Sequence, residues 1–176
     1  MSDYRDLGGL GPGGLESALR ARPTPEDIIA ALSEACEELS RLLGEEFVGL
    51  ALFGSWARGE AGEKSDVDVF VALRSLRGMD IRSMVYRTIA RRVKRALTLV
   101  DMRLDEITSD DVVLTPLLIN VVADAVVVWD PSGVLHEFVE KGRELIKKAG
   151  LVRYKTPDGK YGWKREDGRP LEPVVL

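Results

Sequence analysis

Leu50–Leu73 reads LALFGSWARGEAGEKSDVDVFVAL, and the fold turns on how this stretch divides. An apolar run, Val48 to Phe53, enters a Gly54-Ser55 turn. Ten polar-rich residues follow, and a second apolar run, Val67 to Leu73, opens on two alternating acids, Asp66 and Asp68. Side chains alternate along a strand, so Asp66 and Asp68 share one face while Val67 and Val69 take the other. Two carboxylates that close repel unless something positive lies between them. Mg²⁺ held by one or two carboxylates together with substrate phosphates is the usual reason to build such a pair. The Gly-Ser turn beside it offers backbone N–H groups and a hydroxyl to phosphate oxygens. Read alone, Asp66 and Asp68 could be two solvated acids at a strand edge; the turn next to them favours phosphoryl or nucleotidyl chemistry.

A rival phosphate motif fails. Gly59 to Ser65 resembles a Walker A loop ending in Lys64-Ser65, but that loop needs Gly before the Lys, and Glu63 stands there. It also needs a helix next, whereas Val67 to Val71 reads as a strand.

The ordered set of Gly54-Ser55, Ala57-Arg58-Gly59, Ser65-Asp66-x-Asp68 and a later acid resembles the signature of the DNA polymerase beta-like nucleotidyltransferase superfamily, over roughly residues 45 to 105. That resemblance implies an α/β fold in which a small mixed β-sheet is packed by helices. It also implies a third carboxylate on a later strand. Asp101, in LTLVDMRL, is the first choice, with Leu97, Leu99 and Arg103 on its face; Asp105 is the fallback. On the family pattern Asp66, Asp68 and Asp101 are the catalytic and metal-binding acids: Asp66 and Asp68 bind Mg²⁺, and Asp101 completes a second metal site or acts as general base on the acceptor hydroxyl. Gly54, Ser55, Arg58 and Ser65 then contact the nucleoside triphosphate, expected to be ATP. Arg58 has a competing reading as a surface partner of Glu60 or Glu63.

The implied reaction is transfer of AMP to an acceptor hydroxyl. The Gly-Ser, ten-residue, Asp-x-Asp spacing is similar to that of the minimal nucleotidyltransferase antitoxins, which implies a HEPN-domain toxin as the partner to be adenylylated. Two alternatives stay open. One is an enzyme acting on a small molecule or an RNA end. The other is a nucleotide- or partner-binding module without turnover, against which the three candidate acids argue.

Composition narrows the rest. The 176 residues suit one principal domain, and 45% hydrophobic residues support a globular core. A net charge of −4 gives no electrostatic case for nucleic acid. The single cysteine, Cys36, excludes an internal disulfide framework and reads as a buried thiol on a helix. No apolar stretch reaches membrane-spanning length, so a cytoplasmic location is expected. Gln is absent and Asn120 is the only Asn, a depletion of thermolabile amides that fits a thermophilic source.

Along the chain, residues 1–22 form a Gly-rich segment expected to be mobile or loosely docked. Residues 23–150 hold the nucleotidyltransferase domain, and 151–176 a C-terminal extension. Thr24-Pro25-Glu26-Asp27 is a helix start, and that helix should run to about Leu43, where Gly44 stops it. Strands are expected at Phe47–Phe53, Val67–Leu73, Leu97–Leu104 and Ala125–Trp129. Further helices are expected near Asp80–Ala96 and Val112–Val122, and from Gly133 to about Lys148. The basic face of the Asp80–Ala96 helix (Arg82, Arg87, Arg91, Arg92, Lys94, Arg95) reads as solvated or paired with the acidic first helix. Thr156-Pro157-Asp158-Gly159, between Tyr154 and Tyr161, suggests a terminal hairpin. His136 and the tryptophans read as packing or surface residues.

Overall fold

The computed structural model describes residues 22–75, 78–171 and 173–175; the Gly-rich segment 1–21 lies outside the described residues. Helix α1 (Pro25–Leu43) begins on a complete capping box. Thr24 Oγ1 accepts from the Asp27 N–H, and the Asp27 carboxylate accepts from the Thr24 N–H. Ile28, Leu32, Ala35, Cys36 and Leu39 line its buried stripe.

A single 3₁₀ turn then leads into strand β1 (Phe47–Phe53), whose seven residues are all buried. A strand covered on both faces reads as a continuous apolar run, as this one does. β1 lies between β2 (Val67–Leu73) and β5 (Val126–Trp129), antiparallel to both, and β2 runs parallel to β3 (Leu97–Arg103). The sheet order is β3-β2-β1-β5. Gly49 is required by close approach, since a Cβ there would sit 2.9 Å from the Trp129 carbonyl oxygen and 3.1 Å from Leu135.

Two helical layers cover this sheet. On one face α1 and α3 (Met79–Val93) pack against Leu50, Leu52, Val67, Val69 and Val71. On the other, α5 (Pro116–Asp124) and α6 (Val134–Lys148) pack against Ala51, Phe53, Phe70 and Ala72, with Phe70 stacked on Phe138 at 5.8 Å. Each fully buried Leu or Phe in these layers stabilises the fold by about 1.5–3 kcal/mol. Short elements fill the connections: α2 (Gly54–Ala57) directly after β1, α4 (Leu104–Ile107) after β3, and β4 (Val113–Leu114) paired with β8 (Val174–Val175). Strands β6 (Leu151–Lys155) and β7 (Tyr161–Arg165) form the terminal hairpin around the Thr156–Gly159 turn.

Two element boundaries differ from expectation by more than two residues. The helix expected at Val112–Val122 starts only at Pro116, because a Pro favours the first turn, where its missing N–H costs nothing; Thr115 caps it and Val113–Leu114 is extended. Helix α3 stops at Val93 rather than Ala96, where Lys94 takes a left-handed conformation (φ 51°) and turns the chain into β3. Its basic face does pair with α1: Arg91 bonds Glu38, and Arg92 bonds both Glu34 and Glu38.

Candidate active site

The turn after β1 is built around Asp68. Gly54 takes φ +74°, a conformation glycine adopts without strain, and a Cβ there would overlap Asp68 Oδ2. The turn and the carboxylate are therefore in direct contact. Ser55 follows within α2, whose short turn is closed by the Arg58 N–H donating to the Gly54 carbonyl.

Asp68 is half-buried, and burial is the main cause that lifts its carboxyl above the ordinary aspartate range. A hydrogen bond from the Thr98 side chain opposes that shift, and the negative charges of Asp66 and Asp124 add to it. Gly54, Ser55, Arg58, Glu60, Asp68, Thr98 and Asp124 face a common cleft of about 620 Å³. That is room for a nucleotide-sized ligand. Its far wall is the terminal hairpin.

The remaining expected residues fall in different places. Asp66 is exposed just ahead of β2, in an adjoining groove with Ser65, Lys94 and Arg95, yet near enough to act on Asp68 electrostatically. Ser65 tightens the loop: its Oγ accepts from the Gly62 N–H at 2.8 Å, and its carbonyl accepts from Trp56 Nε1 at 3.3 Å. Arg58 lies in the cleft but is already engaged. Its Nε bonds Glu60 at 2.9 Å, its Nη1 bonds Asp124, and its guanidinium lies 4.6 Å from the centre of the Tyr161 ring.

Asp101 lies apart from the cleft. The parallel register sets Thr98 opposite Asp68 and Asp101 opposite Val71. Val71 belongs to the α1/α3 side of the sheet, so Asp101 points away from the cleft, where it pairs with Arg82 of α3 at 3.0 Å. Asp105, the fallback, opens α4 on the surface and pairs with Arg103 at 3.2 Å. The β3 residue that meets Asp68 is Thr98, and among the described residues no group of three acids, histidines or cysteines is placed to hold a metal.

The donor chemistry of the two neighbouring carboxylates fits a divalent cation. Asp66 and Asp68 repel each other electrostatically, and Mg²⁺ shared with substrate oxygens would relieve that repulsion.

One participant gave only a faint signal in the sequence. Asp124 ends α5 with its side chain 4% exposed, held by Arg58 on one side and by Arg153 of β6, at 2.6 Å, on the other. A lone acid within the apolar stretch from Val112 to Trp129 was the available clue.

Comparison with known proteins identifies the family. Over 124 residues the chain is 27% identical to a Methanocaldococcus jannaschii protein provisionally named a protein adenylyltransferase, covering 66% of this chain and 82% of that one. A second protein of that organism, with the same provisional name, is 36% identical over 50 residues, spanning 28% of this chain and half of its own length. Among solved structures, an AMPylated HEPN toxin in complex with its MNT antitoxin, from Shewanella oneidensis, matches at a TM-score of 0.43 and 17% identity, over 66% of this chain and 84% of that one. The family model described as "Nucleotidyltransferase domain" matches residues 32–148. That match spans more than half of the chain, both helical layers and the whole central sheet apart from the start of α1: the chain belongs to the nucleotidyltransferase domain family.

Proposed function

We propose that this chain transfers AMP from ATP to a hydroxyl on a partner protein, and that the partner is a HEPN-domain toxin. The observation that carries the reading is the direct contact of Gly54 with Asp68 at the base of a nucleotide-sized cleft. The provisional name of both archaeal relatives, protein adenylyltransferase, supports a protein acceptor.

In this reading Ser55 and the Gly54 backbone hold phosphate oxygens, while Asp66 and Asp68 hold Mg²⁺. When bound, the ion neutralises triphosphate charge and polarises the reacting phosphorus. Asp68 would be a well-fixed ligand, because Gly54 packs against its carboxylate and Thr98 hydrogen-bonds to it. The hydroxyl attacks the α-phosphorus in line and releases its proton to solvent water; the bond to the β-phosphate oxygen breaks and pyrophosphate leaves with the electron pair. Arg58 acts as a positioning residue through Glu60 and Asp124. No acid of β3 takes part.

A second reading, a nucleotide-binding module without turnover, is favoured by one observation: Thr98 stands beside Asp68 where an acid was expected. One experiment separates the two. Host lysate is incubated with α-labelled ATP and Mg²⁺ plus either the native chain or Asp68→Asn. A labelled protein band of HEPN-toxin mass, reduced at least about a thousandfold by the substitution, is expected. Label confined to RNA or a small molecule would remove the protein acceptor, and nucleotide binding with no Asp68-dependent label would favour the module.

A further inference from the structure

The terminal hairpin lies outside the residues matched by the family model, yet Lys155, Gly159, Lys160 and Tyr161 line the same cleft as Ser55 and Asp68. Its docking is specific. Tyr161 Oη donates to the Glu60 carboxylate, 2.8 and 2.9 Å from its two oxygens, and Trp163 Nε1 donates to Asn120 Oδ1 at 2.9 Å. Arg153 Nη1 bonds Asp124 at 2.6 Å. Each anchor joins a hairpin residue to one inside the matched region, so the extension is a fixed wall of the cleft.

Among the described residues the cations near the cleft differ in how closely they are paired, and Lys155 acts on Glu60 only at a distance. Arg58 is shared between Glu60 and Asp124, Arg153 is held by Asp124, and Lys160 pairs with Asp158 in its own turn at 3.1 Å. Lys155 makes no ion pair among the described residues; its ammonium rests 5.1 Å from the centre of the Tyr161 ring. A nucleoside triphosphate brings several negative charges into a cleft whose own acids, Asp68 above all, already oppose them. A compact ammonium is the group suited to such a phosphate as a point charge.

We propose that the β6–β7 hairpin is a phosphate-binding wall of this cleft, with Lys155 contacting the β- and γ-phosphates of the nucleotide and stabilising the pyrophosphate as it leaves. The assignment rests on the nucleotidyl-transfer reading and deepens it: this chain carries, after its family domain, a triphosphate contact of its own. Tyr161 positions that lysine by offering its ring face while its hydroxyl holds Glu60. Charge that builds on the departing β-phosphate oxygen is met by Lys155, with no proton transfer required.

The test is equilibrium binding of ATP, inorganic pyrophosphate and AMP, each with Mg²⁺, to the full chain and to Lys155→Gln, Lys155→Glu and Lys164→Gln. Lys164 is the control, because it lies on the same hairpin but over the Tyr154 ring and outside the cleft. Lys155→Gln should weaken ATP and pyrophosphate about tenfold, the scale of a lost charge-assisted contact. Lys155→Glu should weaken them further, with AMP unchanged for both and the melting temperature held. Lys164→Gln should match the native chain. Unaltered pyrophosphate and ATP affinity in both Lys155 variants, or an equal loss in Lys164→Gln, would overturn the hairpin's role. If Asp68-dependent labelling persisted in that case, only the hairpin assignment would fall; if the native chain bound neither ATP nor pyrophosphate, both readings would fall.

Discussion

Asp68 and Asp101 sit on adjacent parallel strands of one sheet, three register steps apart, and face opposite ways. Both are substantially buried, so burial does not separate them. Their company does. Asp101 meets the Arg82 guanidinium and is neutralised as a structural ion pair. Asp68 meets a hydroxyl, two further acids and an arginine already spent on others, with Gly54 pressed against it. An acid left short of positive charge beside a cleft is an acid waiting for a cation or a proton, and under the proposed reading that imbalance marks the functional face.

The largest effect should come from closing the gap between Gly54 and Asp68. Gly54→Ala forces a side chain into a positive-φ position and into the Asp68 carboxylate. It should destabilise the fold by about 1–3 kcal/mol, and displacement of the carboxylate should cut transfer about a hundredfold. Near-native labelling by this variant would mean that the packing of turn and acid does not set the reactive geometry.

The imbalance at Asp68 can be read directly from stability. Its pKa is raised by burial in the folded chain, so the native state holds that proton more tightly than the unfolded chain does. Stability from this group is therefore full below the unfolded aspartate pKa and declines as pH rises through the folded value. In chelator at neutral pH, Asp68→Asn should raise stability by about 0.5–2 kcal/mol, the gain typical of relieving a strained functional site. The gap in melting temperature should narrow as pH falls and the Asp68 carboxyl takes up its proton in the folded chain. A gap that is constant with pH would show that charge is not its source.

Asp101→Asn should have the smallest effect. Its Arg82 partner is half-exposed, so removing the pair should cost at most about 1 kcal/mol, with turnover within about twofold of native. Abolished transfer at native stability would return Asp101 to the catalytic set and refute the contrast of the two faces.

How much of this could be read from the chain alone follows the same division. β1 and β2 were legible to the residue because each is buried on both faces and bounded by Gly54-Ser55 or the polar loop. The shared face of Leu97, Leu99, Asp101 and Arg103 was also legible, since alternation fixes it within one strand. Which side that face takes is set by pairing between β2 and β3, a property of neither strand by itself. Pro116 was visible but outweighed by the apolar run around it. The hairpin was foreseen as a local turn, whereas its docking depends on contacts such as Tyr161 to Glu60, 101 residues apart. The buried thiol was foreseen as well: Cys36 is fully enclosed, and burial pushes it up to about 12.

That enclosure gives the molecule a clock of its own. Because Cys36 is the only cysteine and lies under the layer that shields Asp101's side of the sheet, a thiol-reactive dye can label the chain only after α1 lifts away. The rate of single-site modification therefore times the opening of that layer, with no engineered probe. Ligands that grip the opposite, cleft-bearing side would slow the clock only through cooperativity across the sheet. A change in labelling rate on adding nucleotide would then report whether the two layers open together or apart.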